Sequence, residues 1–178
     1  MNERLYLHVP DVDEMWYRRR IMMDPATMEY NKGLDICEGY DPETGCVNFP
    51  QSQWQGFCDR FVDNEPERFF AFIARRADLE FVGQVSLEKN DEGMEISILV
   101  EDQYRRQGYA TEAMELVLQV AFEVMKAEKV ENSFNADLVA AVKLFDKAGF
   151  RAQAEENGKR TYVLTKEEYG YNPQPVDF

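Results

Sequence analysis

Apolar and polar positions alternate in several short runs of this chain, and in two longer runs the apolar positions recur every three or four residues. Residues 4–9, "RLYLHV", alternate and predict an edge strand. Pro10 and Asp11 punctuate it, and "VDEMWYRRRIMM" follows with helical spacing at Met15, Ile21 and Met22. Ser52 is positioned to cap a short helix that puts Trp54, Phe57, Cys58 and Phe61 on one face. "RFFAFIARR" and "EFVGQVSLEK", joined at Ala77 and Asp78, read as two strands, and "MEISILV" after the turn "NDEG" reads as a third, making an antiparallel meander. Beyond Gly108, the spacing of Ala113, Met114, Val117, Val120, Ala121 and Val124 predicts a helix of about 18 residues with one buried face. "KVENSFN" is then a strand, "DLVAAVKLFDKAGF" a helix stopped by Gly149, and residues 151–165 a hairpin turning at Asn157 and Gly158. A run of strands followed by alternation fits a mixed α+β sheet better than a doubly wound one.

Two stretches fall outside this periodicity. Residues 24–50 mix Pro, Gly and Asp with Tyr30, Leu34, Ile36, Tyr40, Val47 and Phe49. So many apolar residues in a long loop point to a lid or binding loop rather than a linker. The end, "YGYNPQPVDF", is interrupted by proline and is expected to be loosely attached. With 178 residues, no internal repeat and no Gly/Ser linker, one domain is expected over 1–178.

Composition narrows the function. Hydrophobic residues make up 44% and aromatic ones 13%, enough for a packed core. No run approaches the roughly 20 apolar residues of a membrane span, and "MNERLYLHVP" has no signal-peptide character, so a cytoplasmic location and no membrane partner are expected. Cys37, Cys46 and Cys58 are odd in number and widely spaced, which suits neither a disulfide framework nor a zinc site. The net charge of −14 argues against nucleic acid, whose binding rests on neutralised phosphates. The same acidity either serves solubility or steers a cationic amine.

Against that background "YRRQGYA" is a local exception. An extended run ends there and a long helix begins, so the unpaired N–H groups of the first turn lie at the positive end of the helix dipole. An anion is stabilised at such a place. Gly108 and Ala110 keep side-chain bulk away, and Arg105 and Arg106 offer charge-assisted bonds. Their alternative role is to neutralise Glu101 and Asp102. Neither a Walker loop nor Gly-x-Gly-x-x-Gly is present.

Arg105, Gly108 and Ala110 match Arg/Gln-x-x-Gly-x-Gly/Ala, the signature of the GNAT superfamily of coenzyme A-dependent N-acetyltransferases, and "LFDKAGF" resembles that superfamily's last-helix signature. "MEISILVEDQYRRQGYATEAMELVLQ" resembles the branch that acetylates ribosomal-protein N-termini and polyamines. The resemblance runs well over residues 67–165, and over the first third only in the order of elements. It implies a GNAT-like acyl-CoA N-acyltransferase fold, a central, mostly antiparallel twisted sheet of about six to seven strands flanked by helices. It divides the chain into acceptor-side helices and loop (1–66), an acetyl-CoA-binding core (67–165) and a tail (166–178). Acetyl-CoA is the implied cofactor, without a metal. Backbone groups of Ile98, Leu99 and Val100 would meet the pantetheine arm. Arg105, Arg106, Gln107, Gly108, Tyr109, Ala110 and Thr111 would hold the pyrophosphate, and the thioester would lie between Leu99 and "ENSFN". Two features depart from that branch: Leu138 and Ala141 stand where Asn and Ser are common, and Phe145 stands where many relatives carry an acid tyrosine.

Acetyl transfer to an amine needs a base, because a primary amine's pKa is near 10. It also needs an oxyanion donor and a held geometry. Glu95 is the candidate base, acting through water, with a plain solvent-facing strand residue as the alternative. The Leu99 backbone N–H is the candidate oxyanion donor, and Asn132 and Asn135 are candidate hydrogen-bonders to acceptor or pantetheine, with strand-end roles as their alternative. His8, the lone histidine, lies far in sequence from the signature. Glu38, Asp41 and Glu43 either face a cationic acceptor or form a solvated loop. The expected reaction is direct acetyl transfer in a ternary complex to the primary amine of a small molecule or peptide, and a homodimer is compatible with it. The competing readings are a coenzyme A-binding module without efficient chemistry and an unrelated nucleotide binder.

Overall fold

The alternating runs become one seven-stranded sheet in the computed structural model, which describes residues 4–34 and 37–170. The strands are β1 (Leu5–His8), β2 (Arg68–Arg75), β3 (Phe81–Lys89), β4 (Met94–Val100), β5 (Lys129–Asn135), β6 (Arg151–Glu156) and β7 (Lys159–Thr165), in spatial order β1-β2-β3-β4-β5-β7-β6. Every neighbouring pair is antiparallel except β4 and β5. The meander and the hairpin are as the alternation predicts, and β1 is an edge strand. The helices are α1 (Trp16–Met22), α2 (Pro25–Met28), α3 (Trp54–Phe57), α4 (Tyr109–Gln119) and α5 (Val139–Lys147). Residues 171–178, most of the proline-interrupted end, and Ile36 in the long loop lie outside the described residues.

Strand parity sorts the side chains onto two faces. On the back face, Met94, Ile96 and Val100 of β4 join Val85, Leu87 and Val130 against Ala113, Met114, Val117 and Ala121, the stripe read from the sequence. The helix is shorter than expected. α4 has 11 residues, after which the turns widen to i→i+5 bonding through Val124, as in Met125 N–H to Val120 O at 2.9 Å. That widening still buries Val120, Ala121 and Phe122. Phe145, on the inner face of α5, is buried with Phe150 and Tyr162 and packs against the partly buried Phe134.

The front face is covered only in part. Over β2 and the start of β3, the N-terminal segment buries Met15, Tyr17, Ile21, Met28, Phe49 and Cys58 against Phe70, Phe72 and Leu99. Each fully buried ring such as Phe72 contributes about 1.5–3 kcal/mol by leaving water. Ser52 does not act as a cap: Pro50 precedes a 3₁₀ turn at Gln51–Gln53, and no side chain caps it. The described part of the long loop is held by local contacts. Asp24 caps α2 through Thr27 N–H at 3.1 Å, Tyr40 bridges to Val47, and Asp41 closes its own turn through Glu43 N–H at 2.9 Å. The Asp41 carboxylate is thus engaged within its own turn.

Gly83 lets the centre of the sheet close. It lies opposite Val100, and a Cβ there would stand 2.2 Å from Leu99 O. Over the remainder of β3 and β4 the front face is open, carrying Ser86, Glu88, Glu95 and Ser97.

Candidate active site

β4 and β5 set the geometry. Their parallel ladder lasts for only two register pairs, Met94 with Val130 and Glu95 with Glu131, after which the strands part. The side-chain amide of Asn132 donates to Ile96 O at 2.7 Å, which closes the narrow end of the gap. This corrects the role expected of Asn132: its amide is spent on backbone where the strands diverge, not held out to a substrate. Past that point the β5-facing groups of β4 lose their strand partner.

Which groups those are follows from hydrogen-bond parity, since successive residues of a strand alternate between neighbours. Ile96 O meets β5, whereas Glu101 N–H meets Val82 O on the β3 side at 2.9 Å. Even-numbered residues of β4 therefore face the gap and odd-numbered ones face β3. Ile98 and Val100 turn their backbone to the gap, as expected for pantetheine contacts. Leu99 does not. It is in unbroken register with Gln84, so its N–H is engaged by β3 and is not turned to the gap as expected of an oxyanion donor; the N–H beside it that faces the gap is that of Ile98.

At the wide end of the gap β4 runs into the loop before α4. Arg106 has φ +62° and Gly108 φ +82°, both left-handed. Alternation of this kind turns successive N–H groups to one side, forming an anion-binding concavity. The N–H groups of residues 106–111 have no backbone acceptor among the described residues, and the first to donate is Glu112, to Gly108 O at 3.2 Å. Gly108 is exposed, and a Cβ there would meet only Arg4 Nη2, at 3.2 Å.

The two arginines separate in role. Arg105 turns inward, donating from Nε to Val100 O at 3.1 Å, from Nη2 to Thr27 O at 2.7 Å and from Nη1 to Ala26 O and Asp102 Oδ1. The expectation that its side chain holds phosphate is corrected: its donors tie α2 to the end of β4. Arg106 is exposed, with no hydrogen bond or ion pair among the described residues. A third cation, Arg4, stands where no local pattern announced it. Glu112 anchors it, accepting from its N–H at 2.6 Å and its Nε at 3.0 Å, while Nη1 donates to Gln107 O at 3.0 Å. Glu101 also lacks the partner read from the sequence. It is buried, and its carboxylate takes Arg20 Nη2 at 2.7 Å and Tyr17 Oη at 3.2 Å. Burial, then the Glu101 charge, push the Tyr17 pKa well up, so Tyr17 stays a hydroxyl donor.

These roles predict opposite signatures. Arg105→Ala should lower folding stability by about 2–3 kcal/mol, for carbonyl groups left without a charged donor. Arg106→Ala should leave stability within about 0.5 kcal/mol, as an exposed side chain does, but weaken acetyl-CoA binding about tenfold or more. Urea denaturation and calorimetric titration of both variants separate the two.

On the front face Glu95 has Glu88 opposite it on β3 and Glu131 on β5. Partial desolvation, then the Glu88 and Glu131 charges, raise the Glu95 pKa above the ordinary carboxylate value. Arg68 pairs with Glu88 and Lys129 with Glu131, whereas Glu95 has no ion pair among the described residues. A carboxylate raised and unpaired on the exposed front face, at the closed end of the gap, suits proton abstraction. Asn135, on the same face, makes no side-chain hydrogen bond among the described residues. His8 is apart from this site, bonded to Glu14 at 2.8 Å.

A sheet parted between two parallel strands, with an amide-lined loop at its wide end, has the shape and donors that suit a long, phosphate-bearing ligand. The acetyltransferase (GNAT) domain model matches residues 4–151. The chain belongs to the GNAT acetyltransferases. It is an acetyl-CoA-dependent N-acetyltransferase, with acetyl-CoA as cosubstrate. The GNAT match takes in the first third, where the sequence resemblance rested on element order alone, and stops before most of the final hairpin. No curated protein matches by sequence. Among solved structures, the GNAT fold is shared with an acetyltransferase from Bacillus anthracis, at 17% identity and TM-score 0.71 over 93% of this chain and 97% of that one. A spermidine N-acetyltransferase from Vibrio cholerae, in complex with CoA and spermine, aligns at 13% identity and TM-score 0.74 over 94% and 99%. A Campylobacter jejuni N-acetyltransferase in complex with acetyl coenzyme A aligns at 14% identity and TM-score 0.56 over 65% and 79%. No helix among the described residues is long and apolar enough to cross a membrane.

Proposed function

We propose that this GNAT enzyme acetylates a primary amine delivered to the front face beside Glu95, with the cosubstrate lying in the gap between β4 and β5. The observation that carries this reading is the two-pair limit of the β4–β5 ladder, placed directly before a loop whose amides lack acceptors. The residues present fit acetyl-CoA. The N–H groups of residues 106–111 and the Arg106 guanidinium hold the diphosphate, with Arg4 adding charge beside Gly108. The Ile98 backbone and the Val100 N–H take the pantetheine arm, as a third strand would, while Val100 O already accepts from Arg105 Nε. Acetyl-CoA, when bound, supplies a thioester carbonyl as the electrophile.

The protein's own groups do the rest. Glu95 takes the ammonium proton through a water, and its raised pKa brings it nearer to the amine it must deprotonate. The Ile98 N–H, already oriented by the β4 ladder, offers the oxyanion donor without reorganisation. The acidic row of Glu88, Glu95 and Glu131 attracts a cationic amine and disfavours its release while charged. No hydroxyl reaches the gap from α5 at Ala141 or Phe145, and Phe145 is core. The leaving thiolate departs without a donor from that helix, which a thiol pKa of about 8.5 allows.

Free-thiol release from acetyl-CoA, followed across a panel of primary amines, tests the proposal. Release that depends on an amine and saturates with it is expected. Saturable acetyl-CoA binding with no amine-dependent thiol across the panel would instead favour a binding module.

A further inference from the structure

α1 carries three consecutive arginines with three different environments. Arg19 is exposed, Arg20 pairs with Glu101, and Arg18 turns onto the front face. There its Nη1 donates to the Gln84 side-chain oxygen at 2.9 Å. Its guanidinium carbon stands 4.3 Å from the Phe57 ring centroid, 5.3 Å from Phe49 and 5.6 Å from Phe70. No carboxylate pairs with it among the described residues. Its Nε is buried with no hydrogen-bond partner, the only buried side-chain nitrogen or oxygen in that state among the described residues.

A half-buried cation with one donor shut off from water and no carboxylate partner is unfavourable, and ring faces offset that only in part. Burial lowers the Arg18 pKa to about 10, which still leaves it charged at neutral pH. Packing alone does not call for an arginine here, because an apolar side chain would fill an aromatic pocket without an orphaned donor. Of the guanidinium donors, Nη1 is taken by Gln84 and Nε is enclosed, which leaves Nη2 as the donor that an incoming carboxylate oxygen can meet with a charge-assisted bond.

The position matters as much as the chemistry. Gln84 lies opposite Leu99 across β3 and β4, and the gap opens on the far side of β4, about 5 Å away at one strand spacing. Glu95 lies on the same face four residues along β4, about 14 Å from Leu99 at the rise of a strand. The acceptor's side of the site thus has an uncompensated cation at one end and a row of carboxylates at the other. A polyamine suits the second end and is repelled by the first.

We infer that Arg18 is a specificity residue that binds a carboxylate carried by the amine acceptor, so that the preferred substrates are amino acids or ω-amino acids rather than polyamines. This rests on the acetyltransferase reading of the front face and fixes its substrate class. Arg18 orients the acceptor by its carboxylate, leaving the ammonium group toward Ser97 and the water that serves Glu95.

Paired acid and amide probes test it: phenylalanine and phenylalaninamide, 4-aminobutyrate and 4-aminobutyramide, 6-aminohexanoate and 6-aminohexanamide. Equilibrium binding of each is measured to the full chain with CoA present, which permits no turnover, and again without it. In at least one pair the acid should bind tenfold or more tightly than its amide. Arg18→Gln should bring that ratio to near one, and Arg18→Lys, which keeps the charge but not the position of Nη2, should retain part of it. CoA affinity should stay within twofold in both variants. Acid-to-amide ratios below two for every pair in the unaltered protein would overturn the inference without reference to any variant. So would an acid preference that survives in folded Arg18→Gln. Failure of the acetyltransferase reading looks different: CoA would not bind, or no amine would release thiol.

Discussion

Gly108→Glu is expected to weaken acetyl-CoA binding at least a hundredfold while the protein still folds. Three effects act together. The residue has φ +82°, where an L side chain costs about 1–2 kcal/mol, so the turn relaxes away from the shape that aligns its amides. The new Cβ stands 3.2 Å from Arg4 Nη2, and the added carboxylate draws that cation to itself. The same carboxylate repels the diphosphate. A hundredfold loss needs about 2.7 kcal/mol, the worth of one or two charge-assisted hydrogen bonds. Stability should fall only by the strain, about 1–2 kcal/mol, because the position is exposed and nothing else lies within 4 Å of the new Cβ. Gly108→Ala isolates the strain and should cost less than about tenfold in affinity. Calorimetric titration alongside thermal unfolding reads both quantities, and an unchanged dissociation constant in the glutamate variant would contradict the placement of the diphosphate.

The second large effect is on rate rather than binding. Glu95→Gln should lower kcat by about 10²–10³-fold, within the range of a positioned general base, while acetyl-CoA affinity stays within about twofold. The pH profile gives a finer readout. Glu95 works only when ionised and its pKa is raised, so activity should fall as pH drops through a value above the usual 4.3 or so of a glutamate. Glu88→Gln or Glu131→Gln removes one of the charges that raise it, and the acid limb should then move to lower pH. Full activity in Glu95→Gln, or an acid limb that ignores both neighbours, would leave Glu95 as an ordinary strand residue.

Much of the scaffold was legible because it is written in local periods. The period-two runs gave β2, β3 and β4, and the three-to-four spacing after Gly108 gave the face of α4. The turn before α4 was legible for the same reason: Gly108, a helix start and Arg106 are contiguous. What sequence missed depends on register and on distant contacts. That Leu99 spends its N–H on β3 while Ile98 faces the gap follows from hydrogen-bond parity, which residue types do not encode. Arg105 and Arg106 look equivalent in sequence, and only the carbonyl groups of Ala26 and Thr27, nearly eighty residues earlier, draw one of them inward. Arg4 reaches the loop through Glu112, across 108 residues. Arg18 resembled its neighbours in "RRR" until α1 was laid over Gln84 and the rings of Phe49, Phe57 and Phe70. The shortened α4 has another cause, a widened last turn that keeps Val120, Ala121 and Phe122 buried together.

A crystal structure with CoA bound tests the central placement most directly. The diphosphate is expected within hydrogen-bond distance of N–H groups of residues 106–111, and the pantetheine arm paired with Ile98 between the parted strands. A diphosphate bound anywhere else, or an arm that leaves the Ile98 backbone untouched, would contradict it.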